Sequence, residues 1–340
     1  MKITFPILTL CKGGAQRMLA ELANRLASRG HDVKILMPRG GTVEYPLSVP
    51  VIRVRGALPQ AAEFPVSDVI VSNFYTTVEE ADKASKLGKG KHARLSLCYE
   101  PTFLENNHNS FTTYHSTSSL FVLSKWQQEI IYLNHGIKGN IVPVGIASDF
   151  KNLGIRVPHD PIQISAIMRR PEGGFSWHRD QDYLIEQLYK VKTSFPSVII
   201  NLIIPPEEFS TSPHLQKLEK TPWLKVYTPA NDIELNYHLN QTDIFVSSSL
   251  YDSASLPGLE AMKTGAALVA TNAGGNMDYC RNMQNCLVSH RYENKLAANI
   301  VQLVQNSVLR SSLAEEGMKE AQKWTWERSA AMFEAGLKNC

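Results

Sequence analysis

Between Ile244 and Gly275 the chain runs Ile244-Phe245-Val246, the polar loop SSSLYDSASLPG, a short helical piece from Leu259 to Lys263, Gly265, the apolar run Ala267 to Ala270, and Gly274-Gly275. A strand, a hydrophilic turn, a helix and a second strand in that order constrain the fold strongly, because a parallel βαβ unit satisfies them directly. The turn brings Asp252 towards Glu260 among Ser, Gly and Pro residues. In such sheets ligands lie beyond the carboxyl ends of the strands, and helix N-termini offer N–H groups to an anion. The stretch suits a phosphate- and sugar-binding edge, or else an ordinary hydrophilic βα turn.

The same grammar recurs along the chain. Ile3 to Leu10 reads as a strand, Lys12-Gly13-Gly14 as a turn, and Gln16 to Arg29 as a helix with Met18, Leu19, Leu22, Ala23 and Leu26 on one apolar face. Gly30 stops that helix and Val33 to Met37 forms the next strand. The turn reads CKGGAQR and lacks the spaced glycines of a dinucleotide fingerprint, which disfavours a nicotinamide or flavin enzyme. Gly13 and Gly14 would either let backbone N–H groups approach an anion or sugar, or simply make a tight turn. Further strands are expected at Val51–Val54, 69–71, 93–98, 120–123 and 141–144, with helices at 78–87 and 125–133. Glu100 follows a strand and is placed either for ligand work or as a loop acid. His108 and His115 read as loop histidines without metal-ligand spacing. Lys83, Lys86, Lys89, Lys91 and Arg94 make a basic surface, which is a solvated helix face or a patch attractive to an anionic membrane surface.

Residues 143–161, rich in Gly, Pro and Asp and without periodicity, read as an interdomain linker. A second α/β series then starts at Ile162. Its first strand ends at Arg169-Arg170, and Arg179 follows before the next helix. These arginines would oppose Asp252 and Glu260 across a mixed-charge cleft, since guanidinium groups bind phosphate oxygens bidentately.

At 340 residues a two-domain α/β protein is expected, and a formal charge of +3 is too small to imply a nucleic-acid partner. Five scattered cysteines without CxxC spacing suit free thiols in a reducing cytoplasm. The opening ITFPILTLC reads as a strand and not a secretion signal, so any membrane contact would be peripheral.

These segments together resemble the GT-B glycosyltransferases, and within them glycosyltransferase family 4. The similar stretches are Gly13-Gly14-Ala15-Gln16 with LANRLASRGHDVKIL, FVLSKWQQEII, VPVGIASDF, the donor-site segment SSSLYDSASLPGLEAMKTGAALVATNAGG, and the tail through WTWERSAAMFEAGL. The resemblance implies two Rossmann-like parallel-sheet domains facing each other across a cleft. An acceptor-binding domain would span 1–150 and a nucleotide-sugar-binding domain 151–323, with a helix at 324–340 packing back on the first. It also implies transfer with retention from a UDP-, GDP- or dTDP-sugar to a glycan, lipid-linked or small-molecule acceptor, without metal or other cofactor. The protein would then be a hexosyl- or deoxyhexosyltransferase of bacterial polysaccharide or glycoconjugate synthesis, cytoplasmic or peripheral at the inner membrane face.

Carried over by position, the family's E-x7-E motif falls on Asp252, in contact with donor-sugar hydroxyls, and on Glu260, on the nucleotide ribose. Backbone N–H groups of Ala254, Ser255 and Leu256 would meet the sugar and diphosphate. Arg169 or Arg170 would be the first member of the family's basic pair and Arg179 would replace its lysine. YEPTF at 99–103 resembles a segment of a subgroup that includes rhamnosyltransferases. A nucleotide-sugar epimerase or hydrolase, and a non-catalytic glycan- or partner-binding protein, stay open as alternatives.

Overall fold

The computed structural model describes residues 1–105, 107–117, 119–156, 161–173 and 176–340. Residues 157–160 of the expected linker, and Gly174-Phe175 between the arginines, lie outside the described residues. The remainder forms two compact units, one of residues 1–145 with 325–340 and the other of residues 146–324.

In the first unit the elements run β1 (Lys2–Pro6), α1 (Gly14–Ser28), β2 (Asp32–Pro38), β3 (Val51–Val54), β4 (Val69–Ser72), α2 (Tyr75–Lys86), β5 (Lys91–Leu95), α3 (His108–Thr112), β6 (Ser119–Val122), α4 (Lys125–His135) and β7 (Asn140–Ile141). The seven strands lie in the order β3-β2-β1-β4-β5-β6-β7, and every pairing is parallel. The expected apolar face of α1 is the one it buries, Met18, Leu19, Leu22, Ala23 and Leu26. His108, expected in a loop, opens the short helix α3.

The second unit contains β8 (Gln163–Ile167), α5 (Gln181–Ser194), β9 (Ile199–Ile203), α6 (Pro206–Thr211), α7 (Pro213–Glu219), β10 (Leu224–Tyr227), α8 (Asp232–Asn240), β11 (Ile244–Ser247), α9 (Leu256–Lys263), β12 (Ala267–Thr271), β13 (Leu287–Ser289), α10 (Leu296–Gln305) and α11 (Ser307–Ala321). Its six strands are parallel in the order β10-β9-β8-β11-β12-β13. Ile164, Ala166, Leu202, Val246 and Val269 on the strands pack with Leu184, Leu188, Leu303 and Leu313 on the helices into one core.

The last helix, α12 (Trp326–Lys338), belongs to the first unit. Phe333 sets its ring 6.4 Å from Phe5 and 4.8 Å, edge-on, from Phe121. Its return brings Trp326 backbone against Gly145, where a Cβ would strike the Thr325–Trp326 peptide, so no larger residue fits without movement. Trp324, only two residues earlier, sits in the second unit with its ring 5.7 Å from Tyr279. Among the described residues no helix is long and apolar enough to cross a membrane.

Both sheets reverse winding direction once, between β1 and β4 and between β8 and β11. At such switch points the connections leave in opposite directions, opening a crevice beyond the strand ends.

Candidate active site

In the second unit the switch point is covered by the loops that follow β8 and β11, and these are laced together. Leu250 N–H donates to the His178 carbonyl at 2.7 Å, and Ser248 Oγ donates to the Arg179 carbonyl at 2.7 Å. Arg179 Nη1 reaches Asp252 Oδ2 at 3.3 Å. Trp177 and Tyr251 meet edge to face, with ring centroids 5.8 Å apart. Trp177, Tyr251 and Ser248 had no visible role in the sequence, because only the pairing of β8 with β11 makes residues about seventy positions apart neighbours.

Asp252 organises its own loop. Its Oδ1 accepts from the N–H groups of Ala254 at 3.1 Å and Ser255 at 2.7 Å. Its backbone donates to Ala273 O and accepts from Gly275 N–H, both at 2.9 Å, which ties the loop to the turn after β12. Gly274 there has φ +88°, and a Cβ on Gly275 would run into the carbonyls of Ser253 and Asp252. The Gly-Gly pair is thus required by a left-handed turn and by close backbone approach.

Helix α9 begins at Leu256, three residues before the expected start, because Pro257 falls in its first turn where no N–H is needed. Ser255 is its N-cap and holds φ +53°. Tyr279, buried under Gly258, donates its hydroxyl to the Ser255 carbonyl at 2.8 Å and fixes the helix start from behind. Burial raises the Tyr279 phenol well above its ordinary range, so it stays a neutral donor. Glu260 lies one turn into α9 and is 5 % exposed.

The arginines separate into two groups. Arg179 joins Asp252, whereas Arg169 pairs with Glu208 at the start of α6, its Nε at 2.8 Å from Oε1. The Arg170 N–H donates to the other Glu208 oxygen at 2.7 Å while its side chain is exposed. Burial pulls the Glu208 pKa upward, but its bonds to Arg169 outweigh that, and the carboxyl ends below its usual range. The expected cleft with three arginines opposite two acids is therefore divided. Helix α6 carries a counter-carboxylate for Arg169 that lies 39 positions away in sequence and gave no local signal.

The expectation that Ala254 and Ser255 N–H groups face a ligand meets the same kind of correction. Asp252 Oδ1 already occupies both, and Leu256 is left to open the α9 ladder.

In the first unit, Glu100 stands beyond β5 but is buried at 2 % exposure. Its carboxylate pairs with Arg94, itself fully buried, and accepts from Tyr75 N–H at 3.0 Å. It thereby caps the first turn of α2 from outside the helix, a structural role in place of the expected ligand-facing one. Burial raises its pKa despite the neighbouring Arg94. Gly13 exchanges hydrogen bonds with Tyr45, which accepts from its N–H at 2.8 Å and donates to its carbonyl at 3.0 Å. A Cβ on Gly14 would meet nothing within 4 Å, so that glycine leaves open space at the start of α1. The basic surface is largely spoken for, with Lys83 on Glu80, Lys86 on Asp82, Lys89 on the Ala62 and Phe64 carbonyls, and Lys91 on Cys340 O.

Residues 173–306, which include Arg179, Asp252 and Glu260, match the protein family described as glycosyl transferases group 1. The chain is similar in structure to sucrose-phosphate synthase from Thermosynechococcus elongatus, at 14 % identity and a TM-score of 0.79 over 99 % of this chain and 98 % of that one. It is similar to HepE of Anabaena in complex with UDP-glucose, at 16 % identity and a TM-score of 0.80 over the whole of both chains. WaaG, a glycosyltransferase involved in lipopolysaccharide biosynthesis, matches at 16 % identity and a TM-score of 0.72 over 98 % of each chain. No curated protein sequence matches the chain. The chain thus has the GT-B fold, two Rossmann-like parallel-sheet domains, and its second unit carries a glycosyl transferases group 1 segment.

Proposed function

We propose that the chain is a retaining glycosyltransferase of the family 4 type that moves a hexose or deoxyhexose from a nucleotide-diphosphate sugar to a glycan or lipid-linked acceptor in bacterial glycoconjugate synthesis. The observation that carries this reading is the laced switch point of the second unit, where Arg179, Asp252 and the N-terminus of α9 converge within the group 1 segment. The complex of HepE with UDP-glucose supports a nucleotide-sugar donor for this fold.

In this reading the leaving diphosphate gains negative charge beside Arg179, the exposed Arg170 side chain and the opening N–H of α9. Charges already fixed by the fold need not reorganise as the glycosidic bond breaks. The transfer therefore proceeds without a metal. Glu260 accepts from the ribose hydroxyls. Asp252 shapes the loop against which the donor sugar lies, and the first unit takes the acceptor.

Calorimetric titration with a panel of nucleoside diphosphates tests the reading, since a chain that binds none of them is not such an enzyme. Glu260→Ala should weaken the binding of the preferred nucleotide by about 1–3 kcal/mol, the loss expected for a carboxylate that accepts ribose hydroxyls. Unchanged affinity would remove Glu260 from the ribose.

A further inference from the structure

We propose that Arg156 is a positioning residue for the donor: it grips the C-terminus of α9 and so fixes where that helix presents Glu260; this rests on the donor reading above. Residues 146–156, expected within the interdomain linker, belong to the second unit. Their last part is strapped along α8. Lys151 N–H donates to Asn236 Oδ1 at 3.1 Å and Leu153 N–H to Asn240 Oδ1 at 2.7 Å. Asn240 Nδ2 returns a bond to the Lys151 carbonyl at 2.9 Å, and both asparagines are buried. The strap thereby carries Arg156 to the place where α8 and α9 both end. Its Nη2 donates to the Leu239 carbonyl of α8 at 3.0 Å. Its Nη1 donates to the carbonyls of Thr264 and Gly265, just beyond α9, at 3.3 and 2.7 Å.

The last carbonyls of a helix lack partners within it and carry partial negative charge, and a guanidinium fork can satisfy two helices at once. Gly265 has φ +88°, and a Cβ there would lie 2.9 Å from Arg156 Nη1, so the turn is left open to this side chain. Burial pulls the Arg156 pKa down and Asp243 opposes that pull, yet a guanidinium stays charged. Thr264, whose carbonyl Arg156 holds, donates its N–H to the Glu260 carbonyl at 3.1 Å. Helix α9 has eight residues, a length of about 12 Å. A helix so short is marginal by itself, and its anchors decide its placement. Tyr279 and Asp252 hold its N-terminal end through Ser255, and Arg156 holds the other. Hydrogen bonds between hydroxyl and carboxylate oxygens tolerate little displacement, so a slip of the last turn costs Glu260 its hold on a ribose.

A residue that only stabilises the fold lowers the melting temperature and weakens all nucleotides alike. One that positions Glu260 weakens the contribution of the ribose hydroxyls. The test titrates the full-length chain, Arg156→Met and Arg156→Lys with the preferred member of UDP, GDP, ADP, CDP and dTDP, and with the same nucleotide lacking its ribose hydroxyls. The wild type should prefer the hydroxylated form by about 10-fold or more, and Arg156→Met should cut that ratio by about 3- to 10-fold. Arg156→Lys keeps the charge but cannot bridge both helices, so its ratio should fall by a smaller factor, about 2- to 3-fold. A ratio in Arg156→Met equal to that of the wild type overturns the proposal, whatever the melting temperature, because the side chain is then structural only. Where Arg156→Met does not fold, Arg156→Lys decides, and a wild-type ratio in it overturns the proposal. A wild-type chain that binds no nucleoside diphosphate overturns it together with the donor reading. Wild-type discrimination with unaltered ratios in the variants overturns the role of Arg156 alone.

Discussion

Asp252 divides its carboxylate between two tasks. One oxygen pins two backbone N–H groups of its own loop, and the other meets Arg179. Both side chains of the ion pair keep some exposure, 25 % for Arg179 and 15 % for Asp252, so the charge contact contributes about 0–1 kcal/mol. The two loop bonds contribute about 0.5–1.5 kcal/mol each. Asp252→Asn keeps a carbonyl oxygen for the loop and gives up the charge, whereas Asp252→Ala loses both. Titration should therefore show nucleotide affinity falling clearly further in Asp252→Ala than in Asp252→Asn. Equal losses would mean that charge, and not loop shape, is what this residue supplies. Asp252 and Glu260 were visible in the chain because nine consecutive residues of one loop and one helix start hold both. The commitment of Arg169 to Glu208 was not, because it depends on where α6 lies beside β8.

At the scale of the element, the informative case is β5 with its neighbours. Its fourth residue, Arg94, is buried against Tyr114, Thr113 and Glu100, and Glu100 in turn caps α2. One residue from the start of that strand, His92 bonds Ser72 on β4 at 2.8 Å, and burial pushes its pKa down to about 4. An unfolded histidine takes up its proton near pH 6.5, so between about 6.5 and 4 the unfolded chain holds more protons than the folded one. Folding stability is thus lost as pH falls through that window, and the loss from this group is complete below about 4. His135 shifts in the same direction, also to about 4, with burial as the leading cause. Melting temperatures measured from pH 7 to 4 should fall, and His92→Asn should flatten part of that slope. An unaltered slope in the variant would show that His92 titrates normally in the folded protein. The apolar periodicity of α1 and the strands was legible from sequence. The first turn of α9 was not, because Pro257 and Gly258 read as helix breakers until Ser255 is seen as the cap.

Over the whole molecule, the first unit is closed by a helix that lies some 180 positions after the rest of it. Phe333 fills the space against Phe5 and Phe121, and Arg29 Nε meets Glu334 at 2.5 Å. Removing residues 325–340 would expose that apolar surface and strip α1 of its partner. The truncated chain should show the first unit cleaved rapidly in limited proteolysis while a fragment near residues 146–324 resists. Equal resistance of both units would mean that α12 contributes little.

The alternation of apolar runs and polar turns, by itself, determined two parallel α/β sheets and the turn that carries Asp252 and Glu260. Strand and helix periods are local properties, and a βα turn joins neighbours in the chain. The tertiary structure alone decided which charges meet. It gave Arg179 to Asp252, Arg169 to Glu208 and Arg94 to Glu100. Such choices follow from strand order and loop path, which bring residues of separate segments within hydrogen-bond reach and leave no trace in the spacing of either segment.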